Sequence, residues 1–455
     1  MRTTRRLNSR LCYNEKTLNL TNREAAMKKD PYQSQRGCFK SQAVFPGAEK
    51  WAAATARCAQ LYQRDEDIRT PFGRDYTRIL HSSAYRRLKY KTQVFFRPRN
   101  DHVSTRIDHV HYVASIGRLI ADFLGLNGEL TEAIAIGHDL GHTPFGHDGE
   151  AALSAIVRRD GLAPAFWHAA NGLRFVDDFE LLSGPDGRQY NLDLTYAVRD
   201  GIVGHSGPVN APLFPREAAI DLKQFTRPGQ FNPFTWEGCI IKIADNISYL
   251  GRDIDDAVLL GLMKPEDRRV YAEVVDRYAR AAGVSSIDVN NANVIHLMVT
   301  DLCLNSTPER GMGFSEPART AIGEVTRLNR ELIYFNDRLK AYKDYGHQVI
   351  ETIYAALCRY AEEPGRRDYF REQFPSLTVG FEKWLIDYME GFHDEKRADT
   401  VACHWVYTYQ KGEAGAAEMK RAAVDYISGM TDRFIELLYR EQVVFKSQRT
   451  PYVSL

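Results

Sequence analysis

Apolar positions recur at helical spacing along most of this chain, and short polar loops separate the periodic stretches. Trp51–Leu61 reads as a helix. In Ser104–Gly125 the stripe Val110, Val113, Ile116, Leu119, Ile120 and Phe123 is clear, with Ser104 or Thr105 placed to cap it. Ala133–Ile136 reads as the end of a buried helix, Ala151–Val157 and Phe166–Leu182 as helical, and Leu194–Val203 as a helix running into GHSG. Glu237–Leu262 reads as one long helix. Val294–Leu304, Glu331–Lys343, Val349–Tyr360, Val379–Gly391 and Ala416–Arg440 follow as amphipathic windows. Strand-like alternation of useful length, repeats, low-complexity tracts and linkers are not found. The pattern predicts an all-α protein: a basic, flexible arm over 1–50, a catalytic core over 51–270 and a helical C-terminal region over 271–455 packed onto it.

Composition narrows the class. With 455 residues, 44% of them hydrophobic, the chain can bury a large core. Lys+Arg 60 against Asp+Glu 59 leaves no global field for a polyanion, so a phosphate-binding surface must be local. The seven cysteines, at 12, 38, 58, 239, 303, 358 and 403, form no CxxC pair, which argues for a reducing compartment and against a zinc–cysteine site. Glu15 and Lys16 interrupt the place where a secretion signal needs its apolar core, and no apolar run approaches the roughly 20 residues of a membrane span. A cytoplasmic protein without a membrane partner is expected.

The densest chemistry lies in Ala133–Glu150, AIAIGHDLGHTPFGHDGE, with His138, His142, His147, Asp139, Asp148 and Glu150. Gly141, Pro144 and Gly146 stop the preceding helix from continuing, so the stretch should end in a short loop that aims imidazoles and carboxylates at one point. One imidazole and one carboxylate suit a divalent first-row metal, but two ligands rarely hold one. His109 lies one helix earlier and is either structural or a further ligand. Asp245, Tyr249 and Asp253 form a polar stripe at i, i+4 and i+8 on an otherwise apolar helix. A buried aspartate there needs a partner, and spacing does not choose between a metal and a lysine or arginine. Arg74, Arg78, Arg86, Arg87, Lys89 and Lys91 make a segment that is either a solvated basic face or a phosphate-facing wall.

Six segments in order carry a family resemblance: RDYTRILHSSAYRRLKYKTQVF, TRIDHVHYVA, AIGHDLGHTPFGHDGE, FWHAANGLRFV, IADNISYLGRDIDDAV and VDYISGMTDRF. Together they resemble the HD-domain deoxynucleoside triphosphate triphosphohydrolases, the bacterial dGTPase group. The resemblance implies an HD-type helical fold and a metal held by His109, His138, Asp139 and Asp245. Such a mixed N/O site suits Mn²⁺, Mg²⁺ or Fe²⁺, with Zn²⁺ or Co²⁺ within its range. It implies cleavage of a dNTP, dGTP by default, to deoxynucleoside and intact triphosphate. His147 matches the family's candidate acid, and Glu150 the carboxylate that orients it and favours its charged form. His142 and His168 match further active-site histidines that bind phosphate oxygens. Arg106 matches a phosphate-contacting arginine, Tyr249 and Asp253 the readers of the deoxyribose 3′-hydroxyl, and Gln93 a glutamine beside the same sugar. Relatives form hexamers or other homo-oligomers, and some respond to an allosteric dNTP or to single-stranded DNA.

Two departures leave the ligand set intact: Tyr112 stands where the family usually has glutamate, and Ala169, Ala170 and Asn171 replace the usual run after His168. They bear on base preference and subunit contacts. Two rival readings remain. An HD-fold hydrolase of another nucleotide phosphoester is opposed by Tyr249, Asp253 and the KTQVF and GMTD segments. A nucleotide-sensing or nucleic-acid-binding module predicts lost ligands, whereas all four are present, and only the basic arm favours it.

Overall fold

A computed structural model describes residues 31–59, 61, 67–95, 102–162, 165–284, 290–410 and 413–444. The fold is all-α, as the periodicity requires. Its centre is a three-helix packing of Arg106–Leu124, Gly128–Gly137 and Trp236–Leu259. Asp108 accepts from both the backbone N–H (2.9 Å) and the hydroxyl (2.7 Å) of Thr105, tying down the start of the first helix. That helix ends at Gly125, whose φ of 84° a side chain would resist and whose missing Cβ admits Gly37. Asn127 then accepts from Glu129 and Leu130 N–H at 3.1 Å and starts the second helix at once. A reversal this short holds the two helices antiparallel, so the first turn of one faces the end of the other.

The third helix lies across both. Its Ile240 and Ile241 press on Gly117, where an added Cβ would come within 2.7 Å of Ile241. Tyr196–Gly204 and His168–Arg174 complete the wall around the end of Gly128–Gly137. The helix Asp337–Glu362 packs against Gly146–Arg159, Glu413–Ser428 and Asp432–Val443, joining the C-terminal region to the core. Among the described residues no helix is long and apolar enough to cross a membrane.

Several expectations change in detail. Trp51 begins a helix that ends at Thr55. Residues 31–50, assigned to a flexible arm, pack on the core: Phe39 is buried, and its N–H donates to Leu124 O at 2.9 Å. Residues 1–30 of that arm lie outside the described residues. Phe166–Leu182 is not one helix. It comprises His168–Arg174, a π-helical turn Phe175–Phe179 and a strand Leu181–Ser183, which pairs antiparallel with Gln189–Asn191. Glu331–Lys343 and Val349–Tyr360 resolve into a π turn, Asn329–Tyr334, and the single helix Asp337–Glu362. Ala416–Arg440 is broken between Ser428 and Asp432.

The basic segment 74–91 is neither uniform face nor uniform wall. Arg78 is buried on the carbonyls of Leu192 and Asp193 (both 3.1 Å), Arg87 pairs with Glu180 at 2.7 Å, and Lys91 is buried, while Arg86 and Lys89 are exposed.

Candidate metal centre and the loop beside it

Two helix ends and the flank of a third helix build the centre. His138 follows Gly137 at the end of its helix, and its ring turns back so that Nδ1 donates to Ala135 O at 2.6 Å. The carbonyl can only accept, so Nε2 carries the lone pair. That atom is buried and has no hydrogen-bond partner. A buried orphan acceptor is costly unless a cation or donor meets it. His109, in the first turn of Arg106–Leu124, faces Asp245 Oδ1 through Nε2 at 3.0 Å. Its Nδ1 lies 3.3 Å from the Ser248 hydroxyl, which donates its own hydrogen to Asp245 O at 2.9 Å. Ser248 therefore receives the Nδ1 proton, and His109 Nε2 meets the Asp245 carboxylate in a hydrogen bond, so that a cation displacing the Nε2 proton would find both atoms as donors. Burial opposes charging the ring, but the Asp245 hydrogen bond and the field of Asp139 raise the pKa of His109.

The donor atoms of His109, His138 and Asp245 all lie within 4.8 Å of one another. Asp139 borders them, 3.9 Å from His109 Nε2 and 3.5 Å from His138 Nε2. Burial raises the pKa of both aspartates, but the histidines around them and, for Asp139, Arg106 drive it below the usual carboxylate range. Two imidazole nitrogens and two ionised carboxylates converging in a buried space fit a divalent cation, which would take the place of the proton between His109 and Asp245.

Next to this cluster, the donor atoms of His142, His147, Glu150 and His168 also come within 4.8 Å. His142 is buried, stacks on His168 with centroids 4.0 Å apart, and bonds Asp139 Oδ1 through Nε2 at 3.1 Å, while its Nδ1 has no partner. Burial, followed by Arg106, holds its pKa well below the ordinary value. His147 sits in the first turn of Gly146–Arg159 with its side chain 73% exposed, 3.3 Å from Glu150 Oε2. The same carboxylate oxygen is 3.0 Å from His168 Nδ1. Burial disfavours the Glu150 anion, yet His168 and His147 keep it ionised.

Residues 106–250 match the HD domain, and residues 402–441 the phosphohydrolase-associated domain. A deoxyguanosinetriphosphate triphosphohydrolase-like protein of Caldanaerobacter subterraneus subsp. tengcongensis is 32% identical over 394 residues, 86% of this chain and 90% of its own. The like-named protein of Parvibaculum lavamentivorans is 33% identical over 395 residues, 82% of this chain and 91% of its own. The chain belongs to the HD-domain dGTP triphosphohydrolase-like family. It is an HD-domain phosphohydrolase, and its buried His/Asp cluster is of the kind in which HD domains hold divalent metal.

Within this HD phosphohydrolase, Arg106 is almost fully buried and donates to Asp139 Oδ2 at 2.8 Å, while its Nε is unpaired. Gln93 Oε1 is buried without a partner. Tyr249 and Asp253 continue the face of Asp245 along the helix, and Asp253 accepts the Tyr334 hydroxyl from the π turn 329–334. Burial pushes the Asp253 carboxyl up to about 7. His111, two residues after His109, stands apart against Tyr85 at 3.3 Å. Tyr112 lies under the Arg252 guanidinium at 5.2 Å, away from the cluster atoms described above.

His205 was not among the expected site residues. It is buried, bonds Ile202 O through Nδ1 at 2.7 Å, approaches His168 Nε2 at 3.2 Å, and lies 5.0 Å ring to ring from His138. Its signal is visible in the chain: IGH at 136–138 and VGH at 203–205 are the same helix ending, each turning an imidazole back onto the carbonyl three residues earlier. Ser248 and Tyr334 left no such trace.

Proposed function

We propose that this protein is a metal-dependent dNTP triphosphohydrolase, with dGTP its favoured substrate. The observation that carries the reading is the convergence of His109, His138 and Asp245, with Asp139 alongside, next to a separate histidine–glutamate group. The four residues would hold Mn²⁺ or Mg²⁺, with Fe²⁺, Co²⁺ and Zn²⁺ as further candidates. Such a cation supplies Lewis-acid polarisation of a phosphate oxygen.

The remaining groups divide the work. Water attacks the α-phosphorus, a new P–O bond forms, and the bond to the 5′-oxygen breaks. The departing oxygen needs a proton, and His147 is the exposed, mobile-proton group held beside a carboxylate. Glu150 orients it and shares its charge with His168. Arg106 Nε, buried and unpartnered, is a donor for phosphate oxygens, while His142, whose Nε2 proton goes to Asp139, presents Nδ1 as an acceptor to a water or protonated oxygen at the phosphates. Gln93 Oε1, with no partner of its own, and Asp253 are acceptors for sugar hydroxyls, and the Tyr249 ring beside them limits room at the 2′-carbon. The catalytic core is proposed to span 51–270, with 271–455 packed on it. The same reading includes homo-oligomeric assembly, hexameric by family resemblance, and leaves room for an allosteric dNTP or single-stranded DNA.

Product analysis tests it. Chelator-treated protein incubated with each dNTP and with GTP, with and without Mn²⁺, should release deoxynucleoside and uncleaved triphosphate only with metal and not from GTP. His147→Ala should bind Mn²⁺ normally and lose ~10²–10⁴-fold in kcat. Monophosphate plus pyrophosphate would mean that another bond is cut and that the proposal is wrong.

A further inference from the structure

The segment Val424–Phe434, VDYISGMTDRF, takes no part in the chemistry above, yet the break between its two helices reaches the loop before His147. Three buried side chains, Lys91, Asn171 and Asp432, make the connection. Lys91, 2% exposed, donates to His142 O and to Ser428 O, the latter at 3.2 Å. The Asn171 amide donates to Gly141 O at 2.7 Å and to Ser428 Oγ at 3.2 Å. Asp432 accepts from Phe145 N–H through Oδ1 at 2.9 Å, and from Thr92 N–H through Oδ2 at 2.9 Å together with the Thr92 hydroxyl.

What Asp432 holds is unusual backbone. Phe145 has φ 63°, a left-handed conformation that non-glycine residues adopt rarely and at a cost. Gly146 follows at φ 59°, and a Cβ there would come within 3.1 Å of Arg106 Nη2. The turn therefore sets both the first residues of the His147 helix and the floor under Arg106. Thr92, the other residue held by Asp432, immediately precedes Gln93, whose carbonyl lies 3.5 Å from Arg106 Nη2.

We propose that the Ser428–Asp432 turn is a positioning clamp for the active-site loop, in which Asp432 fixes the Phe145–Gly146 turn and thereby the placement of His147. The catalytic part of this inference rests on the acid role proposed for His147. Chemistry explains the residue type: two N–H groups and a hydroxyl converge, and a carboxylate accepts at both oxygens. An amide would set its own N–H₂ against one of those donors, so Asp432→Asn, nearly equal in size, should fail much as Asp432→Ala does.

The test uses the full chain. Asp432→Asn should keep the Mn²⁺ stoichiometry of the wild type and lose on the order of 10²-fold in kcat, with a smaller change in KM, as a misplaced acid does. Combined with His147→Ala it should cost no more than about twofold further, because both act through one group. Amide exchange should rise in 141–147 and stay slow in 106–124. Thr92→Val, which deletes only the hydroxyl contact, should move every readout the same way by less, and serves if the aspartate variants do not fold. Wild-type turnover in Asp432→Asn, or an equal loss with and without His147, overturns the catalytic inference. Loss of protection throughout the chain reduces Asp432 to a general fold contact and overturns it too. Should the wild type cleave no dNTP, the proposed function falls, but the exchange data still decide the clamp: unchanged protection at 141–147 rules it out.

Discussion

At the scale of single residues, the site is governed by which lone pairs are left over. His138 and His205 spend Nδ1 on a backbone carbonyl of their own helix, and His109 spends it on Ser248, so the tautomers are set before any ligand arrives. His109, His138, Asp139 and Asp245, the proposed ligands, stood out in the chain only once the family resemblance was added, and Ser248 did not, because a serine three residues after an aspartate carries no signal of its own. Asp253 makes a prediction of its own. Its folded pKa of about 7 lies above the ordinary 3.8, so between those values the folded state keeps a proton that the unfolded chain releases. The unfolded state binds fewer protons there, and the group therefore takes stability away as pH rises through the window. Asp253→Asn keeps an acceptor for Tyr334 and should remove that loss, on the order of a few kcal/mol, flattening the profile between pH 5 and 7.5 in denaturant unfolding. An unchanged profile would mean that the carboxyl ionises freely in the fold.

At the scale of elements, close backbone approach decides what the periodicity could not. A Cβ on Gly141 would lie 2.1 Å from Gly172 N and 2.2 Å from His168 O, so the HDLGHTPFG loop and the His168–Arg174 helix touch through bare backbone. Gly141→Ala must push that helix away and break the Asn171 bond to Gly141 O. The expected cost is about 3 kcal/mol or more of stability, with activity lost as His168 leaves His142. Denaturation and turnover of the variant check both, and wild-type stability would show that the loop can move aside. The stop of the buried helix near Gly137 and the cap at Thr105 were readable from residue type. The π turns were not, since a π turn keeps an almost helical apolar pattern while shifting its face. Nor was the break at Gly429–Thr431. Apolar spacing runs on through it; locally Gly429 and the Thr431 hydroxyl, which accepts from Phe434 N–H at 3.1 Å, mark it, but its partner, the 141–145 loop, lies more than 280 residues earlier in the chain.

At the scale of the whole molecule, metal binding and stability should be linked, because the proposed ligands come from three helices that meet only in the folded state. Mn²⁺ added to chelator-treated protein at a hundredfold its Kd should stabilise the fold by ~2.7 kcal/mol and raise the thermal midpoint. Asp245→Ala should abolish most of that rise together with activity, and an undiminished rise in this variant would take Asp245 out of the ligand set. The helical class, the order of the segments and the ligand types follow from local chemistry: period, capping and donor chemistry are written within a few residues of one another. The C-terminal region illustrates the other kind of information. Its amphipathic helices announce that they pack, but not that Ser428 and Asp432 reach the 141–145 loop, or that residues 31–50 lie on the core. Those contacts join positions far apart in the chain, and they depend on the angles at which whole helices meet. An isolated stretch of residues does not encode such angles; the packing of the complete core does.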